Sequence, residues 1–163
     1  EGDSFLDCTL GIGSDAIIAS FLVGEKGKVV GLEVEPVIAY LVRRGLHDYE
    51  TSNLPLKRSM ERIQVVNVEA VEFLKQQADG SFDVVYLDPM FEQTIEESNN
   101  FESLREVGSR RPLTEEWVRE AYRVAKKRVV LKAHFRSTLF EDFGFDRKVR
   151  LTSKFHFGVM EKS

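Results

Sequence analysis

Ser4-Phe5-Leu6-Asp7-Cys8-Thr9-Leu10-Gly11-Ile12-Gly13-Ser14-Asp15-Ala16 is the stretch that decides the fold. Ser4 to Cys8 reads as a short buried strand, and Gly11 and Gly13 supply a turn. From Asp15 to Val23, Ala16, Ile17, Ala19, Ser20 and Val23 recur at helical spacing. A strand that passes through a glycine turn into a helix opens a βαβ unit, and the pattern continues outward from it. Lys28 to Glu33 reads as a second buried strand. Pro36 then stands at a first helical position, where its missing N–H costs nothing, and the helix runs from Val37 to about Tyr49. Arg62 to Val66 and Phe82 to Leu87 are predicted strands, with a helix over Glu69 to Gln77 between them. Thr114 is placed to cap another helix, and Arg128 to Lys132 is a fifth strand. Phe145–Arg150 and Lys154–Met160 alternate like an antiparallel hairpin. Near-continuous apolar strands separated by helices predict an α/β fold. The expected sheet is mostly parallel and seven-stranded, with helices on both faces and a C-terminal antiparallel hairpin.

The 163 residues suit a single domain spanning 1–163. Apolar residues make up 42% and charged residues 31%, a balance that excludes a disordered or collagen-like chain. No apolar run approaches the ~18 residues of a membrane span. Cys8 is the one cysteine, and no Cys/His spacing matches a zinc site, so a cytoplasmic, metal-free protein is expected. The chain opens with Glu1-Gly2-Asp3 rather than Met and enters a strand almost at once, which leads us to expect that an N-terminal segment of a longer protein precedes it. Charge is uneven. Residues 1–122 carry 12 basic and 23 acidic side chains, whereas residues 123–163 carry 11 basic and 4 acidic ones. Such asymmetry suits an anionic partner at one end, or simply a solvated surface.

In a sheet of this kind ligands bind beyond the carboxyl ends of the strands. Gly11-x-Gly13-x-x-Ala16 formally fits a dinucleotide turn, and Glu33, 20 residues after Gly13, fits the acidic residue that holds a ribose diol. Charge separates the candidate ligands. A helix N-terminus welcomes a pyrophosphate, but Asp15 lies at that terminus and Asp7 ends the preceding strand, and two carboxylates would repel it. S-adenosylmethionine carries no phosphate. Its sulfonium is positive and its ammonium needs an acceptor, so it suits these residues better. Asp15 also reads as an ordinary helix-start charge. Glu69, after the third strand, is placed either to reach an adenine amino group or to start a helix.

Asp88-Pro89-Met90-Phe91 follows the fourth strand. Pro89 fixes its own φ and biases Asp88 toward extended backbone, so the carboxylate is held rigidly at the sheet edge. An acceptor for an exocyclic amine, a stiff turn and the aromatic face of Phe91 are the equipment for methylating a nucleobase amino group, with catalysis mainly by positioning. Asp88, Pro89 and Phe91 are therefore the candidate catalytic residues, with Phe91 also stacking the base. The polar stretch from Glu92 to Pro112 is long for a compact domain and is expected to act as a substrate lid, with Arg110 and Arg111 as phosphate donors. His134 after the fifth strand invites a general-base reading, but methyl transfer to an arylamine needs no strong base before attack; Cys8 reads as a small buried hydrophobe and Trp117 as a core aromatic.

Asp-Pro-Met-Phe resembles the (Asp/Asn)-Pro-Pro-(Tyr/Phe/Trp) motif of amino-group nucleic-acid methyltransferases. Together with the Asp7–Ala16 turn and Leu32-Glu33-x-x-Pro36, it makes residues 5–135 similar to the RsmJ-like family of S-adenosylmethionine-dependent methyltransferases. That resemblance implies a Rossmann-like class I methyltransferase fold, S-adenosylmethionine as cofactor and ribosomal RNA as partner, with a guanine N2 of the small subunit as target. It also implies cofactor contacts at Asp7, Gly11, Gly13 and Glu33, and substrate contacts at Asp88 and Phe91. The chain differs from the family in two places. Glu92-Gln93-Thr94-Ile95-Glu96-Glu97 replaces a Lys-rich continuation, and Ala133-His134 rather than Arg-Pro follows Lys132. Two other readings stay open at this point: an NAD-dependent oxidoreductase and a non-catalytic S-adenosylmethionine-binding adaptor.

Overall fold

Alternation along the first strand sends Phe5 to one side of a sheet and Leu6 to the other, and the two side chains join separate apolar cores. A computed structural model describes residues 1–89 and 111–163. Its elements, in order, are β1 (Ser4–Asp7), α1 (Ser14–Val23), β2 (Lys28–Glu33), α2 (Pro36–Asp48), α3 (Leu54–Glu61), β3 (Ile63–Asn67), α4 (Ala70–Lys75) and β4 (Phe82–Leu87). Beyond residue 110 come α5 (Glu115–Val124), β5 (Ala125–His134), α6 (Leu139–Asp142), β6 (Asp146–Lys148) and β7 (Phe155–Glu161). The strands form a seven-stranded sheet in the order β3-β2-β1-β4-β5-β7-β6. Neighbours pair in parallel from β3 to β5, β7 pairs antiparallel with β5, and β6 pairs antiparallel with β7.

The strand order reverses direction at β1. From there the chain steps outward to β2 and β3 and later returns to β4 on the other side, so a crevice opens where β1 and β4 end. On one face, Leu6, Val30, Leu32, Val85, Leu87, Val129 and Leu131 pack with residues of α4, α5 and α6. On the other, Phe5, Val29, Ile63 and Val65 pack with residues of α1, α2 and α3. The expected mixed α/β sheet is thus the one observed.

Three details differ from the expectation. Helix α3 lies where no element was predicted. Asn53 caps it, accepting from the Leu56 N–H at 3.1 Å, and Pro55 occupies its first turn. It packs beside α1, where the buried Ser20 hydroxyl donates to the Ser59 carbonyl at 2.6 Å. Strand β5 begins at Ala125 rather than Arg128, because α5 passes straight into extended backbone there (φ −69°, ψ 135°). The basic run Lys126-Lys127-Arg128 therefore lies inside β5, exposed, with Lys127 2.8 Å from Asp3. Short α6 was also not predicted. It sinks Phe140 into the core, under the Gly158 backbone. The lid expected over Glu92–Pro112 falls almost wholly outside the described residues, as do Phe91 and Arg110.

Candidate active site

The turn after β1 is set by backbone geometry before any ligand is considered. Gly11 (φ 51°) and Gly13 (φ 84°) occupy the left-handed region that other residues avoid. The Gly13 N–H donates to the Leu10 carbonyl at 2.8 Å, and the Gly13 carbonyl accepts the first helical bond, from Ile17, at 3.0 Å. Leu10 folds back over β2 so closely that a Cβ on Gly31 would lie 2.5 Å from its side chain. The turn is therefore clamped between its own hydrogen bonds and the glycine beneath it.

Asp7, Gly11, Asp15, Glu33, Glu69, Asp88, Pro89 and Arg111, all predicted from the sequence, line one cavity of about 420 Å³ at the carboxyl end of the sheet. Gly13 stands behind it, against Val42 and Leu46, and shapes the turn without lining the cavity. Leu32, Ile38, Val68, Ala70 and Trp117 give the cavity apolar walls.

Each acidic residue is held differently. Glu33 ends β2. Its Oε2 accepts from the Gly11 N–H at 3.2 Å and its Oε1 from the Glu35 N–H at 3.1 Å. A carboxylate has about four lone-pair sites, so both oxygens can accept again from a diol. Asp7 is only 1% exposed, and its Oδ1 accepts from the Thr9 N–H at 2.9 Å and the Thr9 hydroxyl at 3.3 Å. Burial pushes its pKa up to about 7, against the lowering effect of the Thr9 N–H. Thr9 Oγ1 accepts in turn from the Asp88 N–H at 2.8 Å. Thr9 thus ties the end of β1 to the start of the Asp-Pro turn, a role that sequence reasoning misses.

Asp15 and Asp88 share a cation that in the sequence reads only as part of a strand. Lys132 Nζ, on β5, lies 2.9 Å from Asp15 Oδ2 and 3.4 Å from Asp88 Oδ2. The Tyr86 hydroxyl donates to Asp15 Oδ2 at 2.7 Å. Burial raises the Asp88 pKa, Lys132 opposes that shift, and Asp15 adds to it. Burial works against the Lys132 charge, but Asp88 and Asp15 outweigh it and hold the ammonium's pKa up. Two carboxylates around one ammonium suit a cationic ligand better than a pyrophosphate. The signal for Lys132 lies in the register: Leu131 pairs with Leu87, which sets Lys132 beside Asp88.

Glu69 is a helix cap, with Oε1 accepting from the Val71 N–H at 3.1 Å and Oε2 from the Glu72 N–H at 2.9 Å. Arg111 lies 3.5 Å from it at the cavity rim. His134 does not line the cavity. Its Nδ1 accepts from the Arg136 N–H at 3.2 Å, and burial lowers its pKa. Burial pushes the Cys8 thiol up, consistent with an inert core residue. Trp117 is buried as expected, although its indole N–H has no hydrogen-bond partner among the described residues.

The residues present fit S-adenosylmethionine. Glu33 offers acceptors for a ribose diol, and the apolar walls offer room for a purine. At Gly11, where the loop borders the cavity, a Cβ would meet only the Thr9 carbonyl oxygen, at 3.9 Å. The Asp15–Asp88 side would face the cationic end.

A family model described as "Putative SAM-dependent methyltransferase" matches residues 3–154. The chain is 52% identical to the uncharacterized protein YpiP of Bacillus subtilis, over all of this chain and 63% of that protein. It is 32% identical to ribosomal RNA small subunit methyltransferase J of Buchnera aphidicola, over 79% of this chain and 51% of that enzyme. The chain thus spans only about half to two thirds of the length of these relatives. Among solved structures, a SAM-dependent methyltransferase from Neisseria gonorrhoeae superposes with a TM-score of 0.66 at 26% identity, over 98% of this chain and 62% of that one.

Proposed function

Because this chain belongs to the family of S-adenosylmethionine-dependent methyltransferases, we propose that it transfers the cofactor's methyl group to an exocyclic amino group of a base in RNA, with a guanine N2 of small-subunit ribosomal RNA as the target. The observation that carries this reading is the fixed Asp88 carboxylate. It leaves a buried strand, its N–H is anchored on Thr9, Lys132 holds one of its oxygens, and Pro89 stiffens the turn behind it. The cofactor supplies an electrophilic methyl on a sulfonium, which keeps the C–S electron pair on departure. Asp88 accepts an N–H of the arylamine, which orients the nitrogen lone pair for in-line attack as the N–C bond forms. The amine becomes acidic only after it gains the methyl. A carboxyl whose pKa is raised by burial is suited to take the released proton then and pass it to water. Lys132 and Tyr86 position the pair of carboxylates, Glu33 holds the ribose, and Asp7 with Thr9 sets the turn that joins them. Phe91, which ends the motif, is proposed to stack on the base, and Arg110 and Arg111 to meet phosphates.

The choice of RNA is supported by the activity in the name of the Buchnera relative and by the basic C-terminal quarter of the chain. The family match leaves no place for the oxidoreductase alternative. The test is methyl transfer from labelled cofactor to RNA from cells lacking the gene, with Asp88→Ala alongside the wild type. We expect Asp88→Ala to lose about a hundredfold or more of the activity while S-adenosylhomocysteine binding stays close to wild type. Full activity in Asp88→Ala would reduce Asp88 to a turn residue. Tight cofactor binding with no transfer to any RNA would favour an adaptor.

A further inference from the structure

We propose that the aromatic and basic surface at the paired ends of β5 and β7 is a stacking platform for the single-stranded RNA that flanks the target base, an inference that rests on the RNA reading above. Strand register defines the surface. His134 pairs with Phe155 and Lys132 with Phe157, so these four side chains share one face of the sheet. The opposite face carries Leu131 and Gly158, paired with each other and packed toward α5 and α6, where a Cβ on Gly158 would lie 2.5 Å from Phe140. The two described helices that follow β4, α5 and α6, therefore lie behind this surface and not over it.

Phe135 is 41% exposed and Phe155 is 37% exposed. The His134 ring, itself only 6% exposed, packs 4.5 Å from the Phe135 centroid and 6.0 Å from that of Phe155, and Phe135 also lies 6.3 Å from the His156 ring. Cations sit over the rings: Lys132 Nζ 5.3 Å from Phe155, the Arg136 guanidinium 5.3 Å from Phe135, and that of Arg150 5.5 Å from Phe157. The Phe135 N–H donates to the Lys154 carbonyl at 2.9 Å, which holds the two segments together. Neither Arg136 nor Arg150 forms an ion pair with a carboxylate among the described residues. Aromatic faces interleaved with these two arginines match a single strand of nucleic acid, because every base offers a π-face and every linkage a phosphate. An acidic peptide would use the cations but leave the rings idle.

The surface is also continuous with the site. Lys132 lines the cavity beside Asp88 and touches the Phe155 ring. At about 3.3 Å of rise per residue, His134 lies roughly 7 Å farther along β5. A base seated at Asp88 would therefore have its neighbours directed onto Phe155 and Phe135.

The test measures binding of a labelled, unstructured RNA oligonucleotide to the protein across a range of salt, with S-adenosylhomocysteine calorimetry on the same preparations. Phe135→Leu and Phe155→Leu keep apolar bulk and remove the ring. Each is expected to weaken RNA about fivefold or more while cofactor affinity is unchanged. Arg136→Gln combined with Arg150→Gln should reduce the slope of log affinity against log salt by about 1.4, the value for two lost phosphate contacts on a single strand. Wild-type RNA affinity and salt slope in all of these variants, from a protein that still methylates RNA, would overturn the platform alone. Failure of the wild type to bind or methylate RNA at all would overturn both readings. Equal loss of duplex and single-stranded RNA, or tighter binding of an acidic peptide than of RNA, would contradict a stacking surface.

Discussion

Glu33 has both carboxylate oxygens anchored by backbone N–H groups of the two segments that frame the cavity, Gly11 and Glu35. Its loss would remove the diol acceptor and loosen the turn. A hydrogen bond to a charged group is worth about 1.5–3 kcal/mol, so Glu33→Ala should weaken S-adenosylhomocysteine by about tenfold or more in calorimetry. Unchanged affinity would move the ribose elsewhere. Asp7 gives a prediction in pH. Its pKa rises from 3.8 in the unfolded chain to about 7 in the fold. Below pH 3.8 both states hold the proton and nothing is lost. Between 3.8 and about 7 the unfolded state releases it first, so stability falls as pH rises, and the penalty is complete above 7. Each tenfold difference in proton affinity between the two states corresponds to about 1.4 kcal/mol. Asp7→Asn keeps an acceptor for the Thr9 N–H and removes the charge, so its urea midpoint should drop less between pH 5 and pH 8 than that of the wild type. Parallel pH curves would rule out a buried, titrating Asp7. The acidic side chains that line the cavity are all legible in the sequence, because strand ends and the turns that follow them in a doubly wound sheet converge on one edge. Thr9, Tyr86 and Lys132 are not, since their roles come from pairing across strands far apart in the chain, and a lysine or tyrosine inside an apolar run reads simply as strand.

Strand β2 lines the cavity with Leu32 and Glu33 and also serves it through a residue that does not line it. Gly31 sits at its centre, and Leu10, only 4% exposed, occupies the space a side chain there would need. Gly31→Ala should push Leu10 out of place and shift the Gly11–Gly13 turn. Overpacking of this kind costs about 1–3 kcal/mol. The expected outcome is a lowered unfolding midpoint together with weaker cofactor binding. A destabilised variant with full cofactor affinity would show that the turn does not depend on Leu10. The same element-scale logic explains what the sequence conceals about the fold. Apolar strands and the Thr114 cap are readable because their signals are local; Thr114 accepts from the Trp117 N–H at 3.1 Å. Helix α3 is hidden because Leu54-Pro55-Leu56-Lys57 offers a proline and little periodicity. Its stability comes from the Asn53 cap and from contact with α1. The start of β5 is hidden because Lys126, Lys127 and Arg128 look like a surface turn, whereas pairing of Ala125 with Phe82 and of Arg128 with Val84 draws them into the sheet.

At the scale of the whole molecule, charge and topology divide the work. The acidic first 122 residues carry the turn and the carboxylates that suit a cationic cofactor, and the last 41 residues, with 11 basic and 4 acidic side chains, supply Lys132 and the surface beyond it. The sheet joins the two at β4 and β5, where Asp88 meets Lys132. We propose that this junction methylates a base amine in RNA. The most direct measurement is to incubate the protein with isotopically labelled S-adenosylmethionine and RNA from cells lacking the gene, digest the RNA to nucleosides, and identify the labelled one by mass spectrometry. We expect a label on an exocyclic nitrogen, as N2-methylguanosine. A label on a ribose hydroxyl or a ring carbon, or no labelled nucleoside from a protein that binds the cofactor, would contradict it.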